Sequence, residues 1–491
     1  MRLSADPTTL DPALAVDVAS GMVTAKIFNG LVRYNGQMEI VPDLAKDWQI
    51  SDDGRCYTFH LREGVKFSNG QLLTVEDVKY SFERVLDPKT RSPRTWVLDR
   101  IRGAKAVIEG KEFEVAGLTI VDTAAIRIEL AAPFAPFLGL LTMPAGYIVP
   151  KTEVERWGED FSAHVVGTGP FKLTEWRPDE GILLTANPDY FGDPPKIAGI
   201  KYKIIPEDMT ALAEFETERL DVLGLPSVEQ ERFLNDPEWK PYILYQVGLN
   251  VYYLGLNCQS LPLDRVKVRQ ALNYAINKEA ILKTILKGEG MVSHGPIPPG
   301  LPGSNKKVEP YPYDPDRARE LLAEAGLPAG FSMKIYQTSN KEVLNITEVL
   351  QAQLKQVGIT TEIVQLEWSA YKEAVTQGKV DAFYLAWVAD YPDAENFLFP
   401  LFHSANWGSG GNRARYKNKA VDLLIEEAQQ TLNTKHRLEI YEQLEAMIWA
   451  EAPWVFLWHK AEYVVHQPWV KEYRLYPIYN ADKGTEVRLD A

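Results

Sequence analysis

Residues able to do chemistry are plentiful in this chain, but their spacing is not that of a catalyst. No Gly-x-Ser-x-Gly elbow, His-Glu-x-x-His pair, Walker loop or complete Gly-x-Gly-x-x-Gly run occurs. The histidines (His60, His164, His294, His403, His436, His459 and His466) stand singly, without a second His or Cys at helical metal-ligand spacing, so no metal and no cofactor is expected. Gly167-Thr168-Gly169-Pro170 has the glycines of a phosphate loop but neither its lysine nor a helix start, and reads as a turn. A glycosidase needs only two carboxylates facing across a cleft, and nothing in the sequence promotes a particular pair. One carboxylate does stand out by position. Residues 380–388 form an apolar run broken only by Asp381, the pattern of a strand buried on both faces. The run stops on Ala389-Asp390-Tyr391-Pro392-Asp393, where Pro392 cannot continue a ladder. Asp390 is thereby placed at a strand's carboxyl end, where open α/β sheets hold their ligands, with Trp387 and Tyr391 beside it. The alternative reading is an Asx-turn aspartate among core aromatics.

The elements around that stretch change style along the chain. The first half reads as turns and hairpins. A short helix is expected over 19–31, and a half-buried strand over 55–61 with Tyr57, Phe59 and Leu61 on one face. Thr74-Val75-Glu76-Asp77 opens a helix as a capping-box variant that buries Val75, Val78, Phe82 and Val85. A strand pair is expected over 118–130, and another strand over 171–176. The second half alternates strands and helices. It has a strand at 251–257, one helix over 264–286 and a Pro/Gly-rich connector over 295–303. A helix capped by Asp314 with Pro315 in its first turn follows. Then come a strand at 331–337, a helix at 341–357 closed by Gly358, a strand at 359–366, a helix at 369–377 and the strand at 380–388. This β-α-β-α-β order predicts parallel neighbours with right-handed crossovers, and puts Asp390 on the same edge as Thr338 and Ser339. Helices at 420–431 and 434–450 precede an aromatic strand at 454–458.

With 491 residues, 45% hydrophobic and 11% aromatic, the chain is globular and long enough for two to four domains, in the α/β class. A net charge of −14 with no basic run argues against nucleic acid or an anionic membrane as partner, and fits a monomer kept apart by self-repulsion. The longest apolar stretch, 137–149, contains Pro144 and Gly146 and is too short to span a bilayer. No export signal precedes Asp6-Pro7, as in a cytoplasmic protein or one whose signal has been removed. Cys56 and Cys258 show no metal or redox spacing and read as small apolar residues.

Several blocks, taken together and in order, carry a resemblance that spans nearly the whole chain. They are ADPTTLDPALAVDVASG, IFNGLVRYNG, the long block PDLAKDWQISDDGRCYTFHLREGVKFSNGQLLTVEDVKYSFERVLDPKTRSP, GTGPFKLTEW with NPDYFG, VRQALNYAINKEAI, AWVADYPDAENFLFPLFHS, NRARYKN and VDLL. The chain resembles the extracytoplasmic solute-binding proteins of the peptide/nickel family (family 5) that serve ABC importers. The resemblance implies a two-lobed, periplasmic-binding-protein-like class II fold with an extra inserted subdomain. Lobe I would take 1–36, the inserted subdomain 37–166, lobe I again 167–255, lobe II 256–461, and 462–491 would return to lobe I. Ligand would be enclosed between the lobes by hinge closure and delivered to the permease subunits, with no catalysis. The site of action would be the periplasm or the outer face of the cell membrane, the export signal having been removed.

In the family's peptide binders the aspartate after a Trp-x-Ala run pairs with the ligand's α-ammonium. Here that residue is Asp390, after Trp387, Val388 and Ala389 and before Tyr391. The backbone at Asp17 and Val18 resembles the segment that meets an extended ligand from the other lobe. The chain departs from the pattern twice. Arg94 follows Ser92-Pro93 where a tyrosine is frequent, and could offer a fork to a ligand acid. Residues 338–342, including Thr338 and Ser339, lack the arginine that dipeptide binders use for the ligand carboxylate. Both departures favour oligopeptides, or another amine-bearing solute, over dipeptides. Nickel-chelate, opine or oligosaccharide binding within the family, and a carboxylate-based hydrolase outside it, are the alternatives.

Overall fold

The computed structural model describes residues 1–490. The chain forms two compact units, one of residues Met1–Tyr245 with the tail from Tyr463, the other of Gln246–Glu462. Both mix helix and sheet, as the α/β class requires. No helix among the described residues is long and apolar enough to cross a membrane.

In the first unit, strands Phe171–Arg177, Gly181–Ala186 and Gly199–Ile204 form an antiparallel sheet, with Arg2–Leu3 added in parallel at its edge. Helix Val18–Ile27 packs on it through Val23, Ile27 and Phe28, among Phe171, Leu184 and Tyr202. It begins one residue earlier and ends sooner than the expected 19–31, because Asp17 caps it and Phe28 is already extended. Its last carbonyls are met from far along the chain: Lys483 Nζ donates to the Ala25 and Phe28 oxygens at 3.0 and 2.7 Å. Gly167 and Gly169 form the expected turn beneath it. A Cβ on either would come within 2.1 Å of the Ile27 oxygen or 2.4 Å of the Lys26 oxygen, so the glycines serve close packing and not phosphate binding. A second antiparallel sheet runs in the order Ala45–Ile50, Cys56–Leu61, Ala125–Glu129, Leu118–Asp122. Tyr57, Phe59 and Leu61 point inward as their alternation requires. Helix Val75–Leu86 has both hydrogen bonds of the capping box, between Thr74 and Asp77, and buries Val75, Val78, Phe82 and Val85.

In the second unit the sheet runs in the order Trp454–His466, Asn250–Leu256, Ala382–Val388, Phe331–Thr338, Ile359–Leu366. Phe331–Thr338 is parallel to both its neighbours, as the β-α-β-α-β reading requires, and the Asn250–Leu256 pairings are antiparallel. One face carries Tyr253, Phe383, Phe402, Tyr441 and Trp454, the other Leu254, Ile335, Leu350 and Trp458. Cys56 and Cys258 are both free, and burial pushes the Cys258 thiol up to about 11.

Two expectations need correction. The single helix over 264–286 is two, Val266–Tyr274 and Lys278–Thr284. Asn277 starts the second by accepting from the Ala280 N–H at 2.9 Å, and Lys278 Nζ turns inward onto the oxygens of Asn273 and Tyr311. The aromatic strand at 454–458 runs on to His466, since its polar continuation is paired: Lys460 reaches Glu342 at 2.7 Å and His459 Nδ1 meets the Asn250 oxygen at 2.6 Å. Asn250–Leu256 is an interior strand of the second unit's sheet.

His459 lies in that sheet with no solvent exposure. Burial depresses its pKa from 6.5 to about 4, against the hydrogen bond to Asn250, which favours the charged ring; the His294 charge depresses it further. His294 lies 6.3 Å away ring to ring and has Glu445 at 3.8 Å. A depressed histidine pKa means that the unfolded chain takes up the proton first. The contribution is complete above about 6.5 and lost as pH falls toward about 4, at about 1.4 kcal/mol per pH unit in that window. His459→Asn, whose amide can keep the bond to Asn250, should give a shallower fall in melting temperature over that window than the wild type. Parallel slopes in thermal melts would show that His459 does not titrate with unfolding.

Candidate functional site

The strand Ala382–Val388 is paired on both sides, with Asn250–Leu256 along its whole length and with Phe331–Thr338 at Ala382 and Phe383. Its first residues, Ala382, Phe383 and Tyr384, are buried on both faces as expected. The burial then fades through Leu385, Ala386 and Trp387 to Val388, which is 64% exposed. The sheet therefore opens at the carboxyl end of this strand, and Asp390 stands at that opening, half-buried. Thr338 ends the parallel neighbour and Ser339 follows it, its hydroxyl 3.5 Å from the Leu366 oxygen. The fold thus gathers Trp387, Val388, Ala389, Asp390, Tyr391, Thr338 and Ser339 at one edge of one unit's sheet.

What fixes Asp390 lies just behind it. The Ala389 N–H donates to the Leu249 oxygen at 2.8 Å, and the Asp390 N–H donates to Asn396 Oδ1 at 2.9 Å. Asn396 sits in helix Glu395–Phe402, which holds Pro400 inside it and shows no plain helical pattern in the sequence. The start signal was present: Asp393 Oδ1 accepts from the Glu395 N–H at 2.9 Å. Tyr391 is buried and donates to Glu395, which also accepts from Gln429 at 2.6 Å. Burial raises the Tyr391 phenol, and the nearby Glu395 carboxylate raises it further. Tyr441 and Arg437 reach Asp393 at 2.8 and 3.6 Å. Tyr391 is thus an anchor of the turn, while Trp387 keeps a buried Nε1–H with no acceptor.

The first unit brings together Asp17, Val18 and Arg94. Asp17 is the N-cap of helix Val18–Ile27: its carboxylate accepts from the Ser20 N–H at 2.8 Å, the Ser20 hydroxyl at 2.6 Å and the Thr8 hydroxyl at 2.6 Å. Burial alone would raise its pKa, but the hydrogen bonds from Ser20 and Thr8 outweigh it and hold the carboxyl below the usual range. Val18 and Val16 are 62% and 50% exposed. Arg94 Nη2 donates to the Val16 oxygen at 3.2 Å, its guanidinium lies 5.9 Å from the Trp96 ring, and its N–H donates to Ser92 Oγ at 3.1 Å. Ser92 in turn donates to the Ala13 oxygen at 2.6 Å, so the two segments are tied together.

Two residues of interest were not singled out in the sequence. Trp368, 51% exposed at the start of helix Trp368–Gln377, follows the strand neighbouring Thr338, and an aromatic after a strand's carboxyl end was the available signal. Arg413 is half-buried in the NRARYKN block, where no periodic pattern marks it. Among the described residues no group of three or more His, Cys, Asp or Glu could hold a metal ion. At the sheet edge of the second unit the strand end offers a carboxylate, an indole and hydroxyls, groups that can orient a polar solute.

The family described as Bacterial extracellular solute-binding proteins, family 5 Middle, matches residues 39–409. The chain is 33% identical over 504 residues to Heme-binding protein A of Haemophilus influenzae, across 98% of this chain and 90% of that protein. It is 32% identical over 477 residues to the Dipeptide-binding protein of Escherichia coli, across 92% and 87% of the two chains. The ABC transporter-associated periplasmic binding protein DppA from Helicobacter pylori, in complex with peptide STSA, has a similar structure. It gives a TM-score of 0.78 at 31% identity, over 100% of this chain and 97% of that one. Such relatives are substrate-binding proteins and not enzymes, which removes the hydrolase alternative. The chain belongs to family 5 of the bacterial extracellular solute-binding proteins.

Proposed function

We propose that this chain captures peptides, oligopeptides in preference to dipeptides, outside the cytoplasmic membrane and delivers them, as a monomer, to an ABC importer. The observation that carries this reading is Asp390, a carboxylate at the open carboxyl end of a strand paired along one edge throughout and along the other at its start, its main chain held by Asn396 and Trp387 nearby keeping an unpartnered donor. The names of relatives, which include a dipeptide-binding protein and a structure in complex with a peptide, support it. In this reading Asp390 receives the ligand ammonium, with Val388, Ala389, Thr338 and Ser339 around it. The main chain at Asp17 and Val18 meets the ligand backbone, since the Asp17 carboxylate is already engaged in the cap. Arg94 receives a ligand acid. Capture works by hinge closure about the two places where the chain passes between units, near Tyr245 and Glu462: contacts made only in the closed form shift the open–closed equilibrium.

Closure should compact the protein without changing its secondary structure. Small-angle scattering on samples saturated with a peptide mixture should show a smaller radius of gyration than the unliganded protein. An unchanged radius at saturation, verified by calorimetry, would exclude closure. Arg94→Ala should weaken acidic or short peptides and spare long neutral ones; an equal loss for both classes, or none, would remove Arg94 from the site.

The central test is Asp390→Asn, which keeps the shape and removes the charge. Deleting one member of a desolvated charge pair costs about 2–5 kcal/mol of binding, roughly thirtyfold in affinity at the lower end. Free-amine peptides should lose that much in calorimetric titration, while N-acetylated peptides bind poorly to wild type and are little affected. A turn-capping role for Asp390 has the opposite signature, a lower melting temperature with affinity intact.

A further inference from the structure

The first unit holds a cavity of about 1070 Å³ that shares no residue with the candidate site. Its walls are the hairpin of Val32–Tyr34 and Ile40–Pro42, the turn at 190–196 and the tail over 472–487, with Arg62 beside them. The fold holds these walls in place. Asn35 Oδ1 accepts from the Gln37 and Glu39 N–H groups at 2.9 Å, which closes the hairpin. Asp482 accepts from the Gly484 N–H at 2.8 Å and pairs with Lys26 at 2.5 Å, which ties the tail to helix Val18–Ile27. Lys483 binds the last carbonyls of that helix, while Asp17 caps its first turn. A helix of 10 residues is about 15 Å long, so the cavity lies at the end away from Asp17.

Three cations converge on one carboxylate in this wall. Asp43 is 2% exposed, and both its oxygens accept from the Asn29 side-chain amide at 2.8 Å. Arg33 Nε stands 3.9 Å from Asp43 Oδ1, and Arg62 Nε donates to the Asp43 main-chain oxygen at 2.6 Å. Lys483 Nζ donates to the oxygen of Phe28, the residue before Asn29. Of the other acids lining the cavity, Asp482 is held by Lys26 and Glu486 by Arg474 at 3.3 Å, while Asp193 and Glu472 are exposed. Lys483 has three N–H donors and two acceptors, the Ala25 and Phe28 oxygens, so one donor is left over on a buried ammonium. Burial pulls that ammonium down to about 8, and the Asp43 carboxylate offsets only part of the fall. Arg62 spends its Nε on Asp43 and lies 5.8 Å from the centre of the Phe191 ring. Among the described residues neither of its Nη groups has an acceptor, so the outer edge of an oriented guanidinium is left open.

We propose that this cavity is a second solute site, for a phosphate or a carboxylate carried on a body the size of a sugar. The two Nη groups of Arg62 receive the oxyanion, and Arg33 and Lys483 supply charge from the wall behind. A bare phosphate would leave most of the volume empty. Gln37 and Thr485 line the same space with side chains that make no hydrogen bond within the described residues, and these suit the hydroxyls of such a body. The proposal stands apart from the peptide reading, with which it has no residue in common.

Calorimetric titration with glucose 6-phosphate, glucuronate and glucose tests it, because the three share a body and differ in charge. At least one of the two anions should bind, one per chain, and glucose should not. The tighter of the two identifies phosphate or carboxylate as the group read. Arg62→Gln should weaken that anion about tenfold, the loss expected for a hydrogen bond to a charged group. It should melt as the wild type does, since Arg62 is exposed. Lys196→Gln, at an exposed lysine on the same wall, should weaken the anion about threefold and carries the test if the arginine variant fails to fold. An excess of trialanine amide should leave the anion titration unchanged. Binding of neither anion, equal binding of glucose, or displacement by trialanine amide overturns the proposal. So does a folded Arg62→Gln with unchanged affinity, or an indifferent Lys196→Gln where Arg62→Gln does not fold.

Discussion

Pairing on both edges is the constraint from which the second unit's site follows. A strand with a ladder on each side has no freedom to shift: its register is set by Asn250–Leu256 across seven residues and by Phe331–Thr338 at Ala382 and Phe383. Where such a strand ends, its following residues are delivered to one place and one height on the sheet edge. Ala389 and Asp390 are pinned there by hydrogen bonds to Leu249 and Asn396, and Tyr391 is buried against Glu395. The main chain that carries the Asp390 carboxylate is thereby fixed, which suits the role proposed for it, since a preorganised group costs less to bring to a polar contact.

The first unit meets a similar requirement by different means. Its contribution is the start of a helix, and the helix is secured at both ends: Asp17 supplies the cap oxygens at the first turn, and Lys483 satisfies the carbonyls at the last. Lys483 does so without a carboxylate partner of its own, and burial pulls its ammonium down to about 8. The tail residue thereby positions a segment more than four hundred residues earlier in the chain.

That long reach marks what a sequence does not display. Alternation at Tyr57, Phe59 and Leu61, the Thr74–Asp77 capping box, the strand–helix order between Phe331 and Val388 and the opening at Asp390 were all legible, because each is written in residues a few positions apart. The break at Asn277 was not, since the apolar spacing of 264–286 suits one helix and only the inward turn of Lys278 onto Asn273 and Tyr311 divides it. Helix Glu395–Phe402 was hidden by Pro400. The extension of Trp454–His466 was hidden by its polar residues, whose partners Glu342 and Asn250 lie elsewhere. Of the site, the strand end could be read in advance. The Asn396 support depends on contacts across the fold.

Asn250 has a mechanical meaning beyond its hydrogen bonds. Its side-chain amide gives to the Lys460 oxygen at 3.0 Å and takes from the Lys460 N–H at 2.7 Å, while its own oxygen meets His459. One side chain thus rivets two chain segments together shortly before both leave the second unit. Beyond the rivet the returning strand runs on to His466, paired with Ile243–Val247 and Val222–Gly224, and its Tyr463 oxygen accepts from the Leu225 N–H at 2.8 Å. The rivet thereby fixes the register at which the returning strand leaves Asn250–Leu256.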